Sequence, residues 1–204
     1  MKTTEIVLKK PKQRKSIGPT RSPETRRAIV EAAREILTSE GYGGFTLDAV
    51  AKRAGASKPT IYKWWQGKPG LLIEIYDQES EALLTTPDLG SLADELVWLI
   101  RNLWRFWRIT ACGAALRSLI AEAQHDGAAL ALVKDRLLPQ RRSYPLSVFE
   151  RAKARGELDA DFDPTDATDL LTAFSWYHLV TDTLDREKDI EPAVAMIAAG
   201  LRGA

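Results

Sequence analysis

The segment that most constrains the fold is residues 45–65, with the sequence FTLDAVAKRAGASKPTIYKWW. Its first half places apolar residues at helical spacing, and Gly55 follows where a residue in the left-handed conformation commonly ends a helix. Ser57 can cap a second helix, and Pro59 falls in the first turn of that helix, where a missing N–H is tolerated. This order predicts a helix-turn-helix, a unit that places its second helix in the major groove of DNA.

The second helix of this motif carries groups suited to nucleic acid. Ile61 is expected to face inward and to hold the two helices together. Lysines neutralise phosphates and donate to guanine, and threonine or tyrosine hydroxyls can reach phosphate oxygens. The residues predicted to face outward are Lys58, Thr60, Tyr62 and Lys63, with Lys68 near the start of the following helix. The alternative is a small helical hairpin whose polar face is only solvated.

Residues 22–77 resemble the DNA-binding domain of the TetR/AcrR transcriptional regulators. The matching segments, in chain order, are RAIVEAA (27–33), EGY (40–42), FTLDAVA (45–51), ASKPTIYKWW (56–65), then Lys68, Leu71 and Leu72. The resemblance implies an all-helical homodimer that usually represses transcription and releases DNA when a small molecule binds its C-terminal domain. It also implies that Thr46 and the outward residues lie at the DNA. The full set of candidate DNA-binding residues is Thr46, Ser57, Lys58, Pro59, Thr60, Tyr62, Lys63, Trp64 and Lys68.

The chain departs from the family at Trp64 and Trp65, where many members have His and then Phe. Large aromatic rings usually bury most of their surface. The residues alone therefore favour one ring in the core of the domain and the other at its edge.

Charge divides the chain into a basic front and an acidic remainder. Residues 1–70 hold 15 Lys and Arg against 6 Asp and Glu, and residues 71–204 hold 14 against 22. One end is thus attracted to phosphate and the other is repelled by it. Three regions are predicted: a flexible basic arm at 1–21, a helix-turn-helix domain with a connecting helix at 22–85, and a regulatory and dimerisation domain at 86–204. The arm either adds contacts to DNA or serves only as a solubilising tail.

The predicted fold class is all-α, with an N-terminal three-helix helix-turn-helix domain and a larger C-terminal helical domain for ligand binding and dimerisation. We expect about nine helices in total, because apolar residues recur at helical spacing and no alternating strand pattern appears. The helical stretch near 128–155 contains Pro139 and Pro145 and should kink or split. The next helix is expected to run from Pro164 to about Leu184.

The last two helices are the predicted dimer seam, since apolar residues surround too much of their circumference to be covered by one neighbour. Two such pairs meeting about a two-fold axis would form a four-helix bundle. The alternative is that they only close the core of the monomer. The candidate seam residues are Leu170, Phe174, Tyr177, the helix end at Val180 and Thr181, and then Val194, Ile197 and Leu201.

A ligand pocket is expected among aromatic residues inside the second domain. The candidates are Trp104, Trp107, Cys112, Phe149, Trp176, Tyr177 and His178. For each of them the residues alone favour an ordinary core position over a ligand contact, because aromatic side chains at helical spacing are most often core. With two His and one Cys far apart in sequence, neither a metal site nor a cofactor is expected.

Several classes of protein are not expected. No apolar run approaches the roughly 20 residues that span a membrane, and no signal peptide is recognised. The single Cys112 excludes an internal disulfide and favours a cytoplasmic setting. Phosphate loops, dinucleotide fingerprints and glycine-bracketed serines are absent from the sequence, so an enzyme is not predicted. The expected partners are double-stranded DNA, a second copy of the chain and an unidentified small-molecule effector. The alternative is a helical adaptor that binds RNA or anionic membrane through its basic arm.

Overall fold

The computed structural model describes residues 22–81 and 83–201. It is built from helices, and no strand occurs in these two ranges, so the predicted all-helical class is confirmed. The predicted N-terminal arm lies outside the described residues. The helices are α1 (Pro23–Gly44), α2 (Leu47–Ala54), α3 (Lys58–Tyr62), α4 (Gly67–Glu81), α5 (Leu92–Ile109), α6 (Ala111–Ala123), α7 (Gly127–Leu132), α8 (Leu138–Ala154), α9 (Thr165–Val180) and α10 (Ile190–Leu201).

Helix α1 begins and breaks where its sequence dictates. The hydroxyl of Ser22 accepts a hydrogen bond from the amide of Thr25 at 3.4 Å, which caps the first turn. Gly41 has a φ of 66° and interrupts the regular helix, which then continues for one more turn to Gly44. The regular part therefore ends before Gly41. The inward face of α1 packs against α2, α4 and α6.

One continuous apolar core runs from the N-terminal helices to the last one. In the N-terminal part it contains Phe45 and Ile61, both fully buried, and in the larger part it contains Trp104 and Phe149. Helix α5 lies at the centre, because it contacts α6, α8, α9 and α10. Apolar residues lie on two faces of α5, as is typical of a helix in a central position.

Between α7 and α8 the helix does not break at its prolines. A π-helical turn at Val133–Leu137 joins α7 to α8, so the three form one continuous segment. Pro139 lies in the first turn of α8, where its missing amide hydrogen is tolerated. Pro145 lies inside α8, and its ring is buried. The expected kink is thus replaced by a wider turn ahead of Pro139.

Helix α9 is shorter than the sequence predicts. It ends at Val180, and Asp182 adopts a φ of 59° in the following turn. The amide of Thr183 bonds the carbonyl of His178 at 2.9 Å and closes that turn. The expected extension to about Leu184 is wrong, because the chain turns away towards α10.

A buried carboxylate joins α5 to the end of α8. The side chain of Glu95 has no solvent exposure and accepts from Arg151 Nε at 2.8 Å and from Arg155 Nη1 at 2.9 Å. It also accepts from the backbone amide of Leu89 at 3.3 Å, so the network ties the segment before α5 to α8.

Replacing Glu95 with alanine is expected to lower the free energy of unfolding by about 3–5 kcal/mol, because it leaves two partly buried arginines without their shared partner. Urea denaturation followed by circular dichroism measures this change. The control is Glu150→Ala, which removes an exposed pair with Lys153 at 3.3 Å and should change stability by at most about 1 kcal/mol. Equal losses in the two variants would show that the Glu95 network does not stabilise the fold.

Candidate nucleic-acid interface

Helix α2 is set in place by the capping groups at its two ends. The hydroxyl of Thr46 accepts from the amide of Ala49 at 3.2 Å. At the other end Gly55 is left-handed, with φ 62° and ψ 28°, and its amide bonds carbonyls of the last turn. A side chain at Gly55 would strain this turn. The predicted helix end at Gly55 is confirmed, and the turn directs the chain into α3.

Helix α3 is capped as predicted but is shorter than the motif suggests. The hydroxyl of Ser57 accepts from the amide of Thr60 at 3.3 Å and lies 2.8 Å from the Thr60 hydroxyl. The helix spans only Lys58–Tyr62, and a turn follows in which the amides of Trp64 and Trp65 both bond the carbonyl of Ile61. The regular helix therefore stops before the tryptophan pair.

The outer face of α3 is polar and exposed, while Ile61 beneath it is fully buried. Tyr62 is 60% exposed, and Lys58 and Lys63 are also exposed, whereas Thr60 is half-buried. This is the division between inner and outer residues that the sequence predicts. The face therefore offers two cations, a phenol and a hydroxyl to a ligand in front of it.

Lys58 is paired with a carboxylate of the preceding helix. Its Nζ lies 2.7 Å from Asp48 Oδ2, and the hydrogen bond to Asp48 raises the pKa of the lysine. Both side chains are exposed, and exposed pairs of this kind contribute little to stability. A phosphate could therefore replace Asp48 as the partner of Lys58 with little loss.

The tryptophan pair is divided as the sequence favours. Trp65 is buried in the core and Trp64 is half-buried at its edge, with ring centroids 6.3 Å apart. The guanidinium of Arg26 lies 5.8 Å from the centre of the Trp64 ring and 5.6 Å from that of Trp65. Trp65 thus anchors the turn after α3, and Trp64 covers it beside α1.

Lys68, at the start of α4, is directed towards the end of α1. Its Nζ donates to the carbonyl of Tyr42 at 2.9 Å and lies 3.4 Å from the centre of the Tyr42 ring. Burial lowers the pKa of Lys68. The hydroxyl of Tyr42 in turn donates to Glu122 of α6. Sequence reasoning missed this chain of contacts, because Tyr42 and Glu122 are distant in sequence and neither belongs to a motif of its own.

An apolar cavity of about 50 Å³ lies between α5, α8 and α9 in the C-terminal part. Of the seven predicted pocket residues, Trp107 and Trp176 line it. The other five predicted pocket residues do not line this cavity. They are Trp104, Cys112, Phe149, Tyr177 and His178.

Those five residues have other roles or positions. Trp104 is fully buried and stacks on Phe174 with centroids 5.5 Å apart, and Phe149 packs against Phe162. The Cys112 thiol donates to Glu79, and its burial raises the pKa of the thiol. The others are His178, which bonds Thr183 through Nδ1, and Tyr177, which is exposed.

Two polar residues of the cavity wall, Arg141 and Tyr144, were not predicted. They lie in the sequence QRRSY, which reads as a solvated helix face. Arg141 is nevertheless only 8% exposed. Only the packing of α8 against α4 and α9 distinguishes it from its exposed neighbour Arg142.

The candidate seam on α9 and α10 contains a stripe of exposed apolar residues. Leu170 is 57% exposed, Tyr177 59% and Met196 72%, and Val180 is exposed beside Thr181 at the end of α9. Their spacing places the α9 residues on one face of that helix. Phe174, Ile197 and Leu201 are half-buried against the core.

Val194 is the exception among the predicted seam residues. Its side chain is buried in the core of the monomer, so it is not available to a partner and the prediction is wrong for it. Helical spacing places Val194 among the apolar residues of α10. It does not show whether Val194 faces the core of the monomer or the exposed side of the helix.

Among the helices of residues 22–81 and 83–201, none combines the length and apolar character needed to cross a bilayer. Nor does this part of the chain bring three metal-ligating side chains together.

Two family models match the chain. The model described as "Bacterial regulatory proteins, tetR family" matches residues 29–75, and "Tetracyclin repressor-like, C-terminal domain" matches residues 86–199. The first covers α2 and α3 with most of α1 and α4, and the second covers the region that contains the cavity and the exposed stripe.

Individual relatives agree with these matches. YdeS of Bacillus subtilis (strain 168), an HTH-type transcriptional regulator, is 31% identical over 80% of this chain and 82% of its own length. The DNA-binding transcriptional repressor TetR of Mycobacteroides abscessus is 30% identical over 72% of this chain and 75% of its own. The crystal structure of the TetR family transcription regulator SCO0332 superposes with a TM-score of 0.74 at 27% identity, covering 87% of this chain and 98% of that one.

Proposed function

The chain belongs to the TetR family of helix-turn-helix transcriptional regulators, and from this membership we propose that it is a cytoplasmic repressor that binds a pseudo-palindromic operator as a homodimer and is released by a small molecule. The family consists of DNA-binding regulators and not of enzymes. The repressor assignment is supported by the M. abscessus relative, whose name describes a DNA-binding transcriptional repressor.

The observation that carries the proposal is the outer face of α3. Lys58, Thr60, Tyr62 and Lys63 face away from a rigid base formed by Ile61 and Trp65. A helix held this firmly can present its side chains to base edges in the major groove, while lysines contact phosphates. The net positive charge of residues 1–70 adds attraction that does not depend on sequence.

The proposed homodimer rests on the exposed stripe of α9 and α10. An apolar surface of this kind is unfavourable in water and is typical of a protein interface. Joining Leu170, Tyr177 and Met196 to the same residues of a second copy would bury them about a two-fold axis. Two α3 helices would then face two half-sites on one side of the DNA.

Ligand release is supported by the position of the cavity. Helix α8, which forms one wall, also bonds to α4 through Arg141 and Asp77 at 2.8 Å. Helix α4 packs against α1 and so connects the cavity to the DNA-binding helices. A ligand that prefers the arrangement with low affinity for DNA would weaken DNA binding. DNA would in turn weaken binding of that ligand by the same free energy.

Fragments selected from the source genome and labelled with a fluorophore test the proposed function. In anisotropy titrations at physiological salt, we expect at least about a thousandfold tighter binding to a selected fragment than to its scrambled sequence. Affinity should fall steeply with salt concentration, since lysines displace counterions from the phosphates. An RNA hairpin and anionic vesicles serve as controls. Equal binding to selected and scrambled DNA, or preference for either control, would contradict a sequence-specific repressor.

A further inference from the structure

The cavity between α5, α8 and α9 has apolar walls and an unusual set of polar atoms. Its walls include Leu99, Leu171 and the ring of Trp176. Arg141 Nε, Thr168 Oγ1 and Ser175 Oγ belong to lining residues, and all three atoms are buried without a hydrogen-bond partner. Buried polar atoms in folded proteins nearly always have partners, so three unpartnered atoms among the residues that line one cavity indicate that a ligand group is missing there.

The chemistry of these atoms defines that group. An arginine nitrogen only donates, and the hydroxyls of Thr168 and Ser175 donate readily. The group they fit is an acceptor, and the guanidinium of Arg141 favours a negatively charged one with two oxygens. The apolar walls favour a hydrocarbon body behind it. We propose that the cavity binds a small hydrophobic monocarboxylate, whose carboxyl group is held by Arg141, with the hydroxyls of Thr168 and Ser175 as further polar groups of the cavity.

Entry of such a molecule requires the cavity to widen. Its volume of about 50 Å³ is smaller than the roughly 150 Å³ of an engineered cavity that takes up benzene. Two lining residues sit where the helical hydrogen bonding is irregular: Leu137 ends the π-helical turn, and Pro145 lacks an amide hydrogen inside α8. The wall formed by α8 is thus the one best suited to move outward.

The same arginine connects α8 to α4. Arg141 Nη2 donates to Asp77 Oδ1 at 2.8 Å, and the guanidinium carbon lies 3.9 Å from the centre of the Tyr76 ring. Arg141 also donates to the hydroxyl of Tyr144, which lies 2.7 Å from the hydroxyl of Ser80. Every polar contact of Arg141 beyond its own helix is therefore with α4.

A bound carboxylate would compete with Asp77 for this guanidinium. Burial raises the pKa of Asp77, while Arg141 acts in the opposite direction, so the charge on Asp77 is less well stabilised here than it would be in water. An incoming carboxylate can therefore draw Arg141 towards the cavity. The contact between α8 and α4 then weakens, and α4 is free to change the position of α3. This last step rests on the proposed function, whereas the carboxylate site itself does not.

Calorimetry on the full-length protein tests the site with two pairs of probes: hexanoate with hexanamide, and 3-phenylpropanoate with 3-phenylpropanamide. Each acid should bind at least about tenfold more tightly than its amide, because the charged hydrogen bonds to Arg141 are stronger than neutral ones. Equal affinities within both pairs, or no binding of either acid at millimolar concentration, would overturn the proposal.

Substitutions of the cavity residues show whether these residues bind hexanoate or only stabilise the fold. Asp77→Asn keeps an acceptor for Arg141 but removes the competing charge, so hexanoate should bind about tenfold more tightly. The double change Arg141→Met/Asp77→Asn removes both buried charges and should abolish the preference for acid over amide. Thr168→Val/Ser175→Ala leaves the ion pair intact and should weaken hexanoate binding.

The matched control is Arg142→Met. Arg142 follows Arg141 on α8, but it is exposed and pairs with Asp169 at 2.7 Å. This variant should bind hexanoate as the unaltered protein does. If Arg142→Met is as impaired as Arg141→Met/Asp77→Asn, or if Asp77→Asn weakens hexanoate binding while circular dichroism is unchanged, the proposed site is wrong.

Adding hexanoate to the preformed complex with a selected operator fragment distinguishes the two proposals. Binding of hexanoate without release of DNA would refute ligand release and leave the carboxylate site in place. Failure of both acids to bind, while the operator is still bound specifically, would refute the site and leave the DNA-binding function in place. Release by hexanoate but not by hexanamide would support both.

Discussion

The double variant Thr60→Ala/Lys63→Ala is expected to bind operator and random DNA with nearly equal affinity. Both residues lie on the outward side of α3, and the backbone amide of Thr60 is held by the Ser57 cap at 3.3 Å. A good contact to a base edge contributes about 1–3 kcal/mol of discrimination. Two lost contacts in each half-site should lower operator affinity at least about a hundredfold.

Anisotropy titrations with operator and scrambled fragments measure the change, and the affinity for scrambled DNA should fall much less. The control is Thr85→Ala/Lys188→Ala, which removes the same two side-chain types from exposed positions outside the helix-turn-helix. It should keep its preference for the operator. Undiminished discrimination in Thr60→Ala/Lys63→Ala, with the control behaving normally, would mean that α3 does not read the DNA sequence.

The second large effect is expected from Leu170→Asp/Tyr177→Asp. These residues are 57% and 59% exposed on one face of α9, so the substitutions should not disturb the core of the monomer. In a two-fold interface, however, both subunits carry the two substitutions, so four carboxylates would be buried without partners. The dimer should dissociate, and operator affinity should fall by more than about a thousandfold because each monomer binds only one half-site.

Sedimentation velocity at micromolar concentration measures the oligomeric state, and circular dichroism checks that the helices remain. Leu130→Asp is the matched control, since Leu130 is also an exposed leucine but lies on α7. That variant should remain dimeric. A dimeric Leu170→Asp/Tyr177→Asp protein with normal operator affinity would place the interface elsewhere.

The helix-turn-helix could be predicted from sequence because its geometry depends on neighbours in the chain. The Thr46 and Ser57 caps each bond an amide three residues on, and Gly55 adopts its left-handed conformation without help from distant residues. The direction of the Ile61 side chain is also local, because its position along α3 places it on the inner face of that helix. Capping and spacing rules therefore sufficed for both helices and for the division of α3 into inner and outer faces.

Positions that depend on packing between distant helices were harder to predict. Val194 lies on an apolar face of α10, but only the path of α5 across α10 places it in the core of the monomer. Trp104 has the chemistry of a pocket residue, yet Phe174 and His178 cover it. Arg141 lies in a hydrophilic run, and nothing local indicates that Asp77 and Tyr76 of α4 surround it.

Methylation interference on a selected operator is the most direct test of whether α3 lies in the major groove. Dimethyl sulfate modifies guanine N7, which lies in the major groove and is an acceptor for lysine. We expect methylated guanines in two symmetric patches, one helical turn of DNA apart, to prevent binding. If binding is unaffected by methylated guanines, or is blocked only by methylation of adenine N3 in the minor groove, α3 does not read the major groove and the proposed mode of recognition is wrong.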